Sequence, residues 1–594
     1  MSSPITYPID AHHLLRKKRA IRRELLAHGE LVDKRIAILG GSTTAEVKDM
    51  LELFLLEAGI RPEFYESEFN RYTEDILFPE SGLQQFRPEF IYLHTSNLNL
   101  SGYPSPGDDE REVDALLASE LARFEALWQR IDEDHGCPVI QNNFELPLYR
   151  GLGNLDASAV AGHTRFTAEL NARFAAAARQ RPNLQLNDIH YLSARLGLDS
   201  WYDLQAKHAY KYAMGLAALP HVAHSVASIV KALLGKSKKC LVLDLDNTLW
   251  GGVIGDDGLA GIQIGKETAL AEAHTEFQTY VKALKQQGVI LAVCSKNDEA
   301  VAKEAFTHPD SVLKLDDFSE FIANWQPKSD NITEIARRLN IGIDSLVFAD
   351  DNPAERSIVR SQAPRVTVPE LGSDVSQYLK ILDRSGLFES TGVSREDAQR
   401  SAMYADNRAR DSQQQKFANY GEFLASLQMQ AEILPVPPVY LDRVTQLTNK
   451  TNQFNLTTRR YTLAELTEAA RDPGQVLLYG RLVDSFGDNG IVSVVLGRRV
   501  EQSLFVDLWL MSCRVLKRGM EAAMLDALVV QARAQGLSAI VGHYLASAKN
   551  SMVARMYADF GFEPAEPQPG AGESWRLDIS GAYLPRNLHI EVNK

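Results

Sequence analysis

Short apolar runs closed by polar or glycine residues recur along the chain, and between them apolar positions fall at helical spacing. Three runs in the middle, residues 240–243, 288–294 and 345–349, have the β-branched character of strands buried on both faces of a parallel sheet. Asn247, Gly251 and Gly252 stop the first of them. Helical patterns near 272–287, 297–306 and 330–340, the last carried by Ile332, Ile335, Ala336 and Leu339, alternate with these strands in the rhythm of right-handed βαβ units. The expected core runs from about 238 to 387, with 365–368 as an edge strand.

The flanks carry patterns of their own. Residues 35–39 read as a strand running into Gly40-Gly41-Ser42-Thr43-Thr44 with a helix from Ala45, and 90–93 and 138–141 are two further apolar strands. Residues 101–110 form a long polar loop, and a proline-led helix at 220–234 connects this first domain, residues 1–225, to the core. Beyond the core, 388–430 is polar, and Phe417, Tyr420, Phe423, Leu424 and Leu427 give it the spacing of a helical connector, ended by the proline-rich 434–439. In the last part, 431–594, residues 504–510 form a strand pattern and a helix begins at Met520. The predicted fold class is α/β and multidomain: a central Rossmann-like parallel sheet, an α/β domain before it and an α+β domain after it.

Length and composition agree with several soluble domains, since 594 residues at 45% hydrophobic content can fill three or four cores. No apolar run approaches the roughly 20 residues that span a bilayer, and the N-terminus lacks a signal-peptide apolar region, so a cytoplasmic location and no membrane partner are expected. The basic stretch from Arg16 to Arg23 reads as a surface helix with Leu14, Leu15, Ile21 and Leu25 on its apolar face. Cys137, Cys240, Cys294 and Cys513 lie far apart without metal-ligand spacing and are expected to be reduced thiols. A net charge of −14 and the lack of any nucleic-acid-binding pattern argue against a nucleic-acid partner.

The chemistry sits at the strand ends. The first run ends in Asp244-Leu-Asp246, two carboxylates flanking one residue, tolerable at neutral pH with a cation between them or a shared proton. The second delivers Ser295, Lys296 and Asn297, Lys328 opens the following helical pattern, and the third ends in Asp350-Asp351-Asn352. Ligands of open α/β sheets bind outside the carboxyl ends of the strands, so these clusters are expected to converge on one crevice. A hard ion such as Mg²⁺ suits such oxygen ligands.

Asp244-x-Asp246-Asn-Thr248, Ser295, Lys328 and Asp350-Asp351, in that order, resemble the four motifs of the haloacid dehalogenase superfamily of phosphotransferases. The resemblance implies that Asp244 is a nucleophile forming an aspartyl-phosphate, that Asp246 is the acid and base, and that Ser295 and Lys328 hold phosphoryl oxygens. It also implies an Mg²⁺ site made of Asp244, Asp246, Asp350 and Asp351, with Thr248, Trp250, Lys296, Asn297 and Asn352 toward substrate. Leu249 to Gly255, Cys294 to Asp298 and Phe348 to Arg356 narrow the likeness to the FkbH-type subgroup. That subgroup is associated with dephosphorylating 1,3-bisphosphoglycerate and loading its glyceryl unit onto a phosphopantetheinylated acyl carrier protein in polyketide and tetronate pathways. The short stretch between Gly251 and the helix near Ala271 leaves no room for a large cap domain, so an open crevice is expected. An acidic carrier needs a basic docking surface, for which Lys236, Lys238 and Lys239 are candidates beside the alternative that they solvate a linker. A small-molecule phosphatase acting without a carrier and a catalytically inert carrier-docking scaffold are the alternative readings.

The flanking domains resemble two further families. The Gly-Gly-Ser42 turn after a strand resembles SGNH hydrolases, which implies Ser42 at a helix N-terminus, although neither Asp188-x-His190 nor Asp203 with His208 has that family's dyad spacing. We therefore expect a non-hydrolytic module that receives a carrier or acyl chain. Arg514-Val-Leu-Lys517-Arg-Gly519 before Met520, with Asn550 to Tyr557 further on, resembles the GNAT acyltransferase fold, with Lys517 where that fold has a glycine. Asn449, Asn452 and Asn455 recur every three residues, a spacing that lines one face of a helical turn, and with Arg514 and Asn550 they are candidates for a pantetheine or acyl site beside the plain alternative of mutual amide bonds. Cys294 and Cys513 are the two candidate thiols for carrying an acyl group, against direct attack by the pantetheine.

Overall fold

The computed structural model describes residues 5–27, 31–78, 81–392, 403, 407, 410, 413, 414, 416, 417, 419–451, 453–547, 549–566 and 572–593. Within the expected connector at 388–430, residues 393–402 and several positions up to 418 lie outside the described residues, and a helix spans Tyr420–Ser426. The chain divides into two compact units, Ser2–Leu233 and Leu234–Lys594.

The first unit is built on a five-stranded sheet, in the order β2-β1-β3-β4-β5. The strands are β1 (Val32–Gly40), β2 (Ile60–Glu66), β3 (Phe90–His94), β4 (Val139–Asn142) and β5 (Leu184–Asn187), all parallel. β2 and β5 are absent from the sequence reading because their side chains are half exposed and polar. Phe124, Trp128, Phe144 and Phe174 pack edge to face in the core of this unit.

In the second unit β6 (Cys240–Leu243), β7 (Ile290–Ser295), β8 (Glu320–Ala323) and β9 (Leu346–Ala349) form a parallel sheet in the order β8-β7-β6-β9. Every residue of β6, β7 and β9 is buried. Strand alternation divides them between two cores: Leu241, Leu243, Leu291 and Val293 face one cluster with Phe277 and Val281, while Cys240, Val242, Ile290, Ala292 and Cys294 face another with Ile332 and Ile335. Each fully buried aliphatic side chain contributes about 1.5–3 kcal/mol, so the sheet is clamped from both sides. The expected edge strand at 365–368 does not form. Thr367 makes an isolated bridge to Val347, and the chain turns away after Ala363 and Pro364. The edge on the other side is β8, a strand too short and too polar to stand out in the sequence.

The same unit holds an eight-stranded sheet, in the order β15-β16-β14-β13-β12-β11-β10-β17. Its strands are β10 (Met429–Pro435), β11 (Gln475–Asp484), β12 (Gly487–Val500), β13 (Ser503–Met511), β14 (Ala539–Tyr544), β15 (Glu563–Ala565), β16 (Glu573–Asp578) and β17 (Ile590–Asn593). The proline-rich stretch expected to end a connector instead begins inside β10. Lys238 donates to the carbonyl of Asp344 at 2.7 Å and Lys239 to that of Lys450 at 3.2 Å. Lys238 and Lys239 thus tie the start of the core to neighbouring segments of the same unit. Among the described residues no helix is long and apolar enough to cross a membrane.

Candidate active site

The carboxyl end of β6 continues into a tight turn. Asn247 takes a left-handed conformation at φ 56°, which asparagine tolerates better than most residues, and its Oδ1 accepts from Gly252 N at 3.0 Å. Asp244 follows the strand end directly, and Asp246 lies at the entrance to the turn. At the end of β9, Asp350 and Asp351 precede Asn352, whose Oδ1 caps the helix Pro353–Gln362 by accepting from Ala354 N. One oxygen each of Asp244, Asp350 and Asp351 lies within 4.8 Å of the others.

Lys328, the first residue of the helix Lys328–Arg338, reaches into this cluster and is 3% exposed. Its Nζ lies 2.9 Å from Asp244 Oδ1 and 2.6 Å from Asp350 Oδ2. Burial would lower its pKa, but the carboxylates of Asp244 and Asp350 more than offset that and hold it above the usual lysine range. Burial and the charge of Asp244 push the Asp350 carboxyl up despite Lys328, and the same two causes raise Asp351. Three carboxylates so close, with one ammonium among them, leave net negative charge in a buried crevice, and the donors are all hard oxygens. The residues fit a small divalent cation.

Asp246 stands apart from that group. Its Oδ1 accepts from Trp250 Nε1 at 2.9 Å and from Ile254 N at 3.0 Å, and its Oδ2 accepts from Asn297 Nδ2 at 2.8 Å. Its carboxylate is held by these donors, and it is not one of the three acids whose oxygens converge within 4.8 Å. Burial raises its pKa, with the donors from Ile254 and Trp250 opposing. Trp250 is fully buried and Asn297 is bonded to Asp246, so both support the aspartate instead of facing substrate. Thr248, also fully buried, accepts from Asp351 N at 3.2 Å and pins the second acidic loop. Lys296 pairs with Glu355 at 2.6 Å, and Asn352 N donates to Asp350 Oδ1 at 2.8 Å. Ser295 is buried at the end of β7, where its carbonyl receives Asn324 N.

Two side chains without an expected role shape the same place. Arg356 donates to the carbonyls of both Asp350 and Asp351. His274 is buried beneath the turn with Nδ1 3.2 Å from the Thr248 carbonyl, and burial lowers its pKa to about 4. In sequence each sits inside an ordinary amphipathic helix pattern, and nothing in that pattern marks it.

The remaining candidates lie elsewhere. Cys294 is enclosed in the core with its thiol donating to the Lys328 carbonyl at 3.7 Å, and burial pushes its pKa up, so it is no acyl acceptor. Cys513 is partly exposed, and its carbonyl accepts from Asn340. The asparagines do not share a helix face: the helix Leu441–Lys450 ends after Asn449, Asn452 lies outside the described residues, and Asn455 bridges to Leu510. Asn550 donates to the carbonyls of Asn455 and Leu545, both at 2.9 Å, and is a structural tie. Arg514 Nε donates to Ser512 Oγ at 3.1 Å, and Lys517 adopts φ 64°. In the first unit the Ser42 hydroxyl is buried without a hydrogen-bond partner. Asp188 and Asp203 are both helix caps, and among the described residues neither is joined to Ser42 through a histidine.

A parallel sheet with Asp-x-Asp at its central strand end, a lysine at a helix start and paired aspartates on the neighbouring strand defines a haloacid-dehalogenase-type phosphatase domain. Residues 35–231 match the family described as FkbH, N-terminal domain. The N-terminal part of the protein BF1531 from Bacteroides fragilis, which contains a phosphatase domain and was crystallised complexed with Mg, is 36% identical, with a TM-score of 0.58 over 63% of this chain and 98% of that one. The chain belongs to the same family as that phosphatase-domain protein, and its residues 35–231 carry the FkbH N-terminal domain. The ribosomal-protein-S18-alanine N-acetyltransferase from Escherichia coli is 14% identical over 27% of this chain and 99% of its own, with a TM-score of 0.20. A GNAT-family acetyltransferase from Staphylococcus aureus Mu50 is 11% identical over 25% and 99%, with a TM-score of 0.21. Scores of that size do not by themselves fix a fold. No curated protein matches the chain.

Proposed function

We propose that the chain is an Mg²⁺-dependent phosphatase and glyceryltransferase that removes the phosphates of 1,3-bisphosphoglycerate and passes the glyceryl unit to the phosphopantetheine thiol of an acyl carrier protein. The observation that carries the phosphatase reading is Lys328 Nζ at 2.9 Å from Asp244 and 2.6 Å from Asp350, three residues from distant parts of the chain gathered at one sheet edge. Asp244, Asp350 and Asp351 would hold the ion, which when bound would neutralise phosphoryl oxygens. The Mg bound to the relative supports that choice of ion.

An Asp244 oxygen attacks phosphorus, the bond to the leaving oxygen breaks, and Asp246 gives that oxygen a proton. Water then attacks the aspartyl-phosphate, Asp246 takes its proton, and inorganic phosphate leaves with Asp244 restored. Lys328 and the Ser295 hydroxyl hold the phosphoryl oxygens through both steps. At the acyl end, the pantetheine thiolate attacks the acyl carbon and the carbon–oxygen bond to phosphate breaks. Burial of Cys294 supports direct attack by the pantetheine. Between Gly251 and the helix Ala269–Gln286 the chain forms one short helix, Ile254–Gly261, which supports a site without a large cap domain. We assign this chemistry to residues 238–387 and carrier handling to the flanking segments 1–225 and 431–594.

The test is incubation with 1,3-bisphosphoglycerate, Mg²⁺ and a phosphopantetheinylated carrier protein, followed by intact mass of the carrier. A glyceryl adduct is expected. Phosphate release with equal rate when no carrier is present, and no adduct, would reduce the function to a small-molecule phosphatase.

A further inference from the structure

Arg356 is a buried cation fastened to main chain. It is 2% exposed and lies in the first turn and a half of the helix Pro353–Gln362. Helical side chains lean toward the N-terminus, so its guanidinium runs back along the acidic loop. Nη1 donates to the Asp350 carbonyl at 2.8 Å and to the Asp351 carbonyl at 2.7 Å, while Nη2 pairs with Glu370. Glu370 is in turn held by Arg360 Nη2 at 2.8 Å, which also donates to the Val368 carbonyl at 2.9 Å. One end of the guanidinium is thus tied to the 368–370 segment, and the other grips two consecutive peptide planes.

Burying a guanidinium is costly, the more so here because Nε is buried without a partner, and lysine cannot reproduce a planar fork across two carbonyls. Fixing the carbonyls of Asp350 and Asp351 fixes the backbone from which both carboxylates leave. Those carboxylates and Asp244 come within 4.8 Å of one another, an arrangement that their mutual repulsion opposes. We propose that Arg356 is a positioning residue that sets the metal affinity of the Asp244–Asp350–Asp351 cluster by holding its carboxylates converged before the ion arrives. This rests on the Mg²⁺ reading above.

The experiment is calorimetric titration of the full chain with MgCl2, alongside metal-free thermal unfolding. Arg356→Lys should weaken Mg²⁺ binding about tenfold and Arg356→Met by up to about a hundredfold, the range seen when a residue supporting metal ligands is removed. Glu370→Gln, which leaves the guanidinium in place but loosens its far end, should give a smaller loss in the same direction. Phosphate release should recover at high Mg²⁺ more fully in Arg356→Lys than in Arg356→Met, a rescue that a purely structural role would not produce. Should Arg356→Met fail to fold, Arg356→Lys and Glu370→Gln decide. An Mg²⁺ affinity within about twofold of wild type in the folded Arg356 variants, with only the melting temperature lowered, would overturn the proposal. Absence of Mg²⁺ binding by the wild type would instead overturn the metal reading itself.

Discussion

Replacing Lys328 by Met removes the ammonium shared by Asp244 and Asp350, which also lies 5.7 Å from the Phe348 ring centroid, while keeping most of the apolar stem. Breaking a buried ion pair by deleting one partner costs about 3–5 kcal/mol, because the other charge is left uncompensated. Here two carboxylates lose the same cation, with Asp351 close by, so the upper part of that range is expected for metal-free protein at neutral pH. At about 2–4 °C per kcal/mol the transition of the unit carrying the site should fall by roughly 8 °C or more. The sign of the pH dependence follows from the same charges. Without Lys328 the folded carboxylates ionise less readily than unfolded ones, so the penalty is complete above their raised folded pKa values. It fades as pH falls toward about 4, where the unfolded carboxylates protonate too. Mg²⁺ should raise the melting temperature of Lys328→Met more than that of wild type, since the ion replaces the missing charge, yet phosphate release should stay lost. Thermal unfolding at pH 7.5 and pH 5, with EDTA or with Mg²⁺, reads all of this. A metal-free melting temperature unchanged at pH 7.5, or a penalty that grows on acidification, would refute the electrostatic account of the site.

Asp244→Asn should abolish phosphate release, whereas Asp246→Asn should let a phosphoryl adduct accumulate on Asp244, visible by acid-quenched mass spectrometry; an adduct on Ser295 instead would show the nucleophile misassigned. Trp250→Phe removes the Nε1 donor to Asp246 at 2.9 Å and should lower kcat about tenfold with little change in KM, a loss of roughly one hydrogen bond to a charged group. His94 and His274 are both held neutral by burial, with pKa values lowered to about 4, against about 6.5 in unfolded chain. Below about pH 6.5 the unfolded chain takes up protons that the folded one refuses, so stability should fall as pH drops toward 4, by up to about 3 kcal/mol for each histidine. Conservative replacement of either, such as His274→Gln, should flatten that part of the unfolding curve measured in urea.

The strands that carry the site could be read from sequence because they are buried on both faces, and continuous apolar runs such as Leu241 to Leu243 leave few other interpretations. β8 escaped because an edge strand with Glu320 at its start has no such run, and residues 365–368 were taken for a strand although their pairing stops at Thr367. Local spacing placed Asp244, Asp246, Ser295, Lys328 and Asp350 at strand ends and a helix start. It could not tell which way each side chain turns after its strand stops. Trp250 and Asn297 donate to Asp246 and Thr248 accepts from the Asp351 N–H, contacts that local spacing does not reveal. The asparagine series failed for a related reason: a period of three implies one helical face only while the helix lasts, and this helix stops at Lys450.

The left-handed turn at Asn247 follows two carboxylates that the sequence leaves almost equivalent. Along an uninterrupted strand Asp244 and Asp246 would face the same way, both toward one cation. Asp244 lies beside the Lys328 ammonium and the other acids, where it is positioned to attack phosphorus, while the turn at Asn247 brings the downstream donors Trp250 Nε1 and Ile254 N back onto Asp246. Burial in that setting raises the Asp246 carboxyl toward the range where it can both give and take a proton. The proposed nucleophile and the proposed acid and base therefore differ less by identity than by what surrounds them: one is given a cation, the other an indole and two N–H donors.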